Sequence, residues 1–136
     1  MKKEEIQSLI EKAWEGFEKS YSPYSKFPVG AAVLGSNGKV YIGCNIENVS
    51  FGLTNCAERT ALFTMVADGC KTFDAIAVVA DTPQITPPCG ACRQVMAEFC
   101  KNKDVPVFLS TKEKTVEETV ESILPYTFVS LDTNAK

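Results

Sequence analysis

A chain of 136 residues, 45% hydrophobic, with a net charge of −3 and no histidine, predicts one folded domain over residues 1–136 with a core of its own. The missing histidine excludes Ser-His triads, Cys-His nucleophile pairs and histidine-held zinc, and the acidic balance without a basic run argues against a nucleic-acid partner. No apolar stretch reaches the ~20 residues of a membrane span, and Met1-Lys2-Lys3-Glu4-Glu5 leads into an amphipathic pattern rather than a signal segment, so no membrane partner and a cytoplasmic location are expected.

Ile6, Leu9, Ile10, Ala13, Trp14 and Phe17 recur at helical spacing with Lys and Glu between them, which predicts an amphipathic helix ending near Ser20. Pro23 then enforces a loop over Tyr21–Ser25. Val29–Leu34 reads as a strand, Asn37-Gly38 as a tight turn, and Lys39–Cys44 as the returning antiparallel strand. Asn45–Asn55 is polar and irregular. Cys56–Val66 predicts a second helix, with Asn55 as its N-cap and Ala57, Ala61, Leu62 and Met65 on its apolar face. Ala75–Ala80 is apolar throughout, as befits a strand covered on both faces. A proline-rich loop, Asp81–Pro88, leads to a helix over Cys89–Phe99 and a buried strand over Val105–Leu109. Val116–Leu124 is read as a short helix stopped by Pro125, and Asp132–Lys136 as a frayed end. An opening β-hairpin followed by alternating helices and strands predicts an α/β fold, a mixed sheet with helices on both faces.

Two short stretches carry the chemistry: Cys56-Ala57-Glu58 and Pro88-Cys89-Gly90-Ala91-Cys92. Three thiolates leave a tetrahedral Zn2+ one open position for water, whereas a structural zinc closes with a fourth protein ligand. Cys56 and Cys89 each fall at the predicted start of a helix, where unpaired N–H groups favour a thiolate. Glu58, two residues from Cys56, suits an acid/base group beside that water. Three thiolates and Zn2+ sum to −1, so a cation that draws charge off the sulfurs would restore Lewis acidity; Arg59 and Arg93, each one residue beyond a key position, are the candidates. Six cysteines in a chain with no export signal are expected to be reduced or metal-bound, with Cys44, Cys70 and Cys100 as small buried residues or free thiols. A non-catalytic zinc module remains as the alternative; it would need a fourth ligand such as Cys44 and would leave Glu58 without a task.

Together with Ser22-Pro23-Tyr24-Ser25-Lys26-Phe27-Pro28-Val29-Gly30-Ala31-Ala32, Gly43-Cys44-Asn45-Ile46-Glu47-Asn48 and Cys89-Gly90-Ala91-Cys92-Arg93-Gln94, these motifs resemble the small, single-domain cytidine deaminases of the homotetrameric type, over nearly the whole chain. The zinc motif alone resembles the wider deaminase superfamily; Tyr24–Phe27 and Asn45–Asn48 resemble the nucleoside enzymes. The resemblance implies a mixed five-stranded sheet in a three-layer α/β/α sandwich, one Zn2+ per chain on Cys56, Cys89 and Cys92, and Glu58 as proton shuttle. It implies Asn45 and Glu47 on the ribose hydroxyls, Phe27 against the pyrimidine ring, and the Ala57 backbone on the base. Phe128 resembles an aromatic that enters a neighbouring subunit's site. The implied reaction is hydrolysis of cytidine and deoxycytidine to uridine and deoxyuridine plus ammonia, in pyrimidine salvage, by a homotetramer whose partner is a small nucleoside.

Overall fold

The computed structural model describes residues 1–131; the stretch Asp132–Lys136, read above as frayed, lies outside the described residues. Helix α1 (Lys3–Phe17) buries Leu9, Ile10, Ala13 and Gly16, and Glu5 accepts a hydrogen bond from the Lys2 backbone N–H at 2.8 Å, which satisfies one donor at the helix start. It ends three residues short of the predicted limit. Strands β1 (Gly30–Gly35) and β2 (Val40–Cys44) form the expected antiparallel hairpin, with Leu34 opposite Val40. Its turn is closed by Gly38, at φ +86, whose N–H donates to the Gly35 carbonyl. Asn37 stays out of the left-handed region, so the glycine alone supplies the reversal.

Helix α2 (Ala57–Ala67), strand β3 (Phe73–Val79), helix α3 (Gly90–Phe99) and strand β4 (Pro106–Ser110) follow within two residues of their predicted limits. Strand order is β2-β1-β3-β4, with a fifth strand, β5 (Thr115–Thr119), beyond β4. β1 is antiparallel to both β2 and β3, β3 is parallel to β4, and β4 is antiparallel to β5. The sheet is therefore mixed, as expected.

Alternate residues of the central strands serve opposite faces. Ala32, Ala75, Ala77, Val79 and Phe108 pack against Leu9, Ile10 and Ala13 of α1. Ala31, Val33, Ile76, Val78, Val107 and Leu109 pack against Ala57, Ala61, Leu62 and Met65 of α2 and Cys92 and Met96 of α3. Each fully buried aliphatic side chain stabilises the fold by about 1.5–3 kcal/mol relative to exposure. The three-layer sandwich follows from this two-sided burial.

The C-terminal third corrects one expectation. A helix was expected over Val116–Leu124, where Val116, Val120 and Ile123 fall at helical spacing. Instead Thr115–Thr119 is the edge strand β5, pairing Val116 with Leu109, and only Val120–Ile123 is helical (α4). Thr115, Val116 and Thr119 are β-branched and suit a pleated edge. Thr119 then caps α4: its hydroxyl accepts from the Ser122 N–H at 3.0 Å, and the Ser122 hydroxyl accepts from the Thr119 N–H at 2.9 Å. Polar Glu117 and Glu118 keep this edge from offering a flat apolar template. No helix among the described residues is long and apolar enough to cross a membrane.

Candidate metal centre and active site

β2 and β3 are each antiparallel to β1, so they run parallel to one another and end at the same edge of the sheet. α2 follows β2 and α3 follows β3, so both helices begin at that edge. A crevice outside the carboxyl ends of parallel strands is where open α/β sheets place ligands. α2 lies close against β2 because residue 43 is glycine: a Cβ there would fall on the Ala57 carbonyl and on the Ala61 backbone N and Cβ.

Cys56 is the N-cap of α2 and Cys89 the N-cap of α3, each with extended backbone. The expected N-cap, Asn55, instead donates from Nδ2 to the Thr60 hydroxyl at 3.1 Å, because the helix begins one residue later than predicted. Cys89 Sγ accepts from the Cys92 N–H at 3.4 Å, a bond that turns both sulfurs of the Cys-x-x-Cys pair the same way. Cys89 and Cys92 sulfurs are 3.3 Å apart, Cys56 and Cys89 sulfurs 3.9 Å, and all three lie within 4.8 Å of one another. Tetrahedral zinc with Zn–S bonds of about 2.3 Å spaces its sulfurs about 3.8 Å apart.

The electrostatics fit a cation among these sulfurs. Hydrogen bonding from Cys92 first, and then from Arg59 and Cys89, pulls the Cys56 thiol down to about 5, so it ionises most readily. The same pairing with Cys56, together with burial, pushes the Cys92 thiol up. Arg59 donates from Nη2 to Cys56 Sγ at 3.2 Å, while its Nε is buried with no hydrogen-bond partner. A buried donor left unpaired costs about 1–3 kcal/mol. Its position beside the sulfurs suits a site that carries more negative charge, as three thiolates on Zn2+ do. The residues therefore fit one Zn2+ per chain.

Glu58, the second residue of α2, is 4% exposed. Burial is the main cause that pushes its carboxyl up to about 7; the neighbouring Cys56 thiolate adds to this, and the group's own backbone N–H and a hydrogen bond from Cys92 oppose it. A carboxyl group with that value exchanges protons near neutrality. Ala57, between Cys56 and Glu58, is fully buried.

The other predicted site residues lie in the loops at the same sheet edge. Asn45 is 9% exposed; its Nδ2 donates to the Phe27 carbonyl at 2.8 Å, and its Oδ1 accepts from the Val29 N–H at 2.9 Å and the Ser20 hydroxyl at 2.5 Å. Glu47 Oε1 accepts from the Tyr24 and Ser25 backbone N–H groups at 2.9 and 3.1 Å, and Oε2 from the Ser25 hydroxyl. The Ser25 hydroxyl, first among these donors, holds the Glu47 carboxyl below its ordinary value. Ser25 Oγ also accepts from the Phe27 N–H at 3.0 Å, so one hydroxyl joins Glu47 to Phe27 across Lys26, which sits at φ +57.

Glu47 lines an open pocket of about 330 Å³ with Tyr24, Ser25, Phe51 and Thr54. Phe27 lines a smaller hollow of about 230 Å³ with Phe17, Lys26, Pro28, Asp81 and Thr82. The two residues thus face separate hollows and are joined through the Ser25 hydroxyl rather than in one cavity. Phe128 is 59% exposed, and its carbonyl accepts from Gln94 Nε2 at 2.7 Å.

One candidate arginine and the ligand that the rival zinc module would need both lie elsewhere. Arg93 does not reach the sulfurs: Nε donates to the Pro88 carbonyl at 2.8 Å and Nη1 to the Ile123 carbonyl at 2.9 Å. Cys44, the fourth ligand that a structural zinc would need, donates instead to the Lys19 carbonyl at 3.4 Å and stands outside the sulfur cluster. Ser20 and Ser25 were not singled out from the sequence. Their partners are 25 and 22 residues away, a separation to which local pattern is blind.

The family model for the cytidine and deoxycytidylate deaminase zinc-binding region matches residues 3–109. A cytidine deaminase of Sporosarcina psychrophila is 52% identical over 129 residues, covering 94% of each chain. One from Halalkalibacterium halodurans is 53% identical over 129 residues, 94% of this chain and 97% of the relative. The crystal structure of cytidine deaminase from Burkholderia pseudomallei superposes with a TM-score of 0.86 at 46% identity, covering 94% of this chain and all of that one. The match runs from α1 through both cysteine-bearing helices to β4, and with it the chain belongs to the cytidine and deoxycytidylate deaminase family, as a zinc-dependent hydrolase.

Proposed function

We propose that the chain hydrolyses the 4-amino group of cytidine, and of deoxycytidine, to give uridine or deoxyuridine and ammonia, as a step of pyrimidine salvage in the cytoplasm. The observation that carries this reading is the buried Glu58 carboxyl at the start of α2, beside three thiols that fit one ion. Cys56, Cys89 and Cys92 hold Zn2+. When bound, zinc acts as a Lewis acid that lowers the pKa of water at its open position. Glu58 takes a proton from the attacking water and gives it to ring nitrogen N3 as the C4–O bond forms. It then takes the remaining proton from the new C4 hydroxyl and delivers it to the amino nitrogen, and ammonia leaves as the C4–N bond breaks and the C4 carbonyl forms. Each transfer occurs where charge moves in the transition state, so burial of Glu58 serves the reaction rather than substrate binding.

The Ala57 backbone positions the base, and Phe27 covers the pyrimidine ring. Asn45 has one carboxamide N–H beyond the bond to Phe27, and Glu47 has one acceptor site beyond its three donors, so each can take a ribose hydroxyl. Glu47 also repels a phosphate, which favours nucleosides over nucleotides. One catalytic unit spans residues 1–136, and the active form is a homotetramer. The exposed Val49, Phe51 and Leu53, beside the Glu47 pocket, and the exposed Phe128 and Leu131 support burial between copies of the chain. Phe128 then enters a neighbouring subunit's site.

The test is cytidine turnover by zinc-quantified protein, followed as loss of cytidine absorbance and appearance of uridine. Turnover at about one zinc per chain, lost in Glu58→Gln with the metal retained, supports the reading. Full zinc with no turnover of cytidine refutes the substrate assignment.

A further inference from the structure

Arg93 is adjacent to a proposed zinc ligand, yet its guanidinium bonds two backbone carbonyls rather than a sulfur. Its two bonds join segments 35 residues apart: the Pro88 carbonyl, one residue before Cys89, and the Ile123 carbonyl at the end of α4. Pro88 is buried, and Cys89 beyond it is exposed. The thiol most open to solvent is thus carried on a turn whose preceding carbonyl is fixed from inside. A carbonyl at the end of a helix has no intrahelical donor, so Ile123 is a natural second acceptor. The guanidinium is planar and its donors keep a fixed geometry, so one side chain sets the distance between the two carbonyls. The next residue, Gln94, bonds the Phe128 carbonyl. A single turn of α3 therefore holds both the metal-bearing turn and the chain from Ile123 to Phe128.

We propose that Arg93 is a positioning residue for the metal centre, tying the Pro88-Cys89 turn to the C-terminal segment so that metal occupancy and the seating of residues 123–128 are coupled. The inference rests on the zinc reading above and assigns Arg93 no contact with metal or substrate. Coupling of this kind is reciprocal: if the segment steadies the metal turn, metal steadies the segment. Groups that orient metal ligands change metal affinity by roughly 10–100-fold when lost.

The test needs no turnover. Zinc-loaded parent, Arg93→Lys and Arg93→Gln are mixed with a chromogenic chelator well below their unfolding temperatures, and zinc release is timed. Lysine keeps the charge and loses the two-pronged geometry; it also carries the test if Arg93→Gln does not fold. The expected result is release roughly 10–100-fold faster in both variants, with the thiolate charge-transfer bands of the cobalt-loaded forms still present. In the parent, amides of residues 124–131 should exchange more slowly with zinc than without it. Release within twofold of the parent overturns the inference, even if the variants unfold at lower denaturant, because Arg93 then serves the fold alone. So does amide exchange over 124–131 that is indifferent to zinc. A parent that holds no zinc overturns the metal-centre reading and this inference with it, whereas an unaffected release rate from zinc-loaded variants overturns this inference alone.

Discussion

Arg59 Nη2 lies 3.2 Å from Cys56 Sγ, one turn further along the chain, so the helix that presents the thiol also presents a cation that, after the hydrogen bond from Cys92, favours its ionised form. Replacing Arg59 with Gln keeps a donor and removes the charge. The Cys56 thiol should then rise from about 5 towards its ordinary value. Zinc affinity at neutral pH should fall roughly 10–100-fold. Zinc retention against a chelator, titrated from pH 5 to 8, should show its midpoint moved upward in the variant, since the metal must displace a more firmly held proton.

Glu58→Gln removes a carboxyl that the fold holds at a cost. The folded value of about 7 stands above the ordinary 4.5, so between those limits the folded state binds more protons than the unfolded one. Stability contributed by the protonated carboxyl is full below pH 4.5 and is lost as pH rises through 7. Zinc-free Glu58→Gln should therefore be more stable than the zinc-free parent at pH 8, by on the order of 3 kcal/mol, with the gap closing towards pH 4. Urea unfolding at the two pH values measures this. Equal stability at pH 8 would mean that Glu58 is not buried as a carboxylate.

Gly43→Ala should push α2 off β2, because the new methyl group meets the Ala57 carbonyl and the Ala61 backbone, neither of which is a flexible side-chain tip. Overpacking of this kind costs about 1–3 kcal/mol, and more where only backbone can yield. Since α2 carries Cys56 and Glu58, zinc content should fall together with the unfolding midpoint. A variant with parental zinc and parental stability would contradict the close approach.

Asn45→Asp keeps the acceptor for Val29 and Ser20 and removes the donor to the Phe27 carbonyl. Losing one partner of a buried hydrogen bond costs about 1–3 kcal/mol. The Phe27 loop should loosen, and KM for cytidine should rise by more than kcat falls. Steady-state kinetics separates the two. A fall in kcat with unchanged KM would place Asn45 in the chemical step instead.

The metal centre was legible because its signals are local. Cys89 and Cys92 sit within one helical turn of each other, and Cys56-Ala57-Glu58 is contiguous, so residue type and spacing alone bring these groups to helix starts. The apolar face of α2 was legible for the same reason: Ala57, Ala61, Leu62 and Met65 are all buried. β5 was not legible, because Val116, Val120 and Ile123 match a helical period while belonging to two different elements. The pairing of Val116 with Leu109 decided the outcome, and no short window contains it. Likewise, the resemblance gave Asn45 and Glu47 to the substrate, but their protein partners, Ser20, Ser25, Phe27 and Val29, come from a loop that only the folded sheet edge brings within reach.

The placement of β1 between β2 and β3 also sets when during folding a metal ion can matter. Cys89 and Cys92 are neighbours in the unfolded chain, but Cys56 joins them only after two long-range strand pairings have formed, β1 with β2 and β1 with β3. Such non-local pairings cost loop-closure entropy before they return any contact energy, and they set the pace of folding. Zinc therefore arrives late: it should leave the refolding rate nearly unchanged and slow unfolding, so that its contribution is to how long the assembled protein lasts rather than to how fast it assembles.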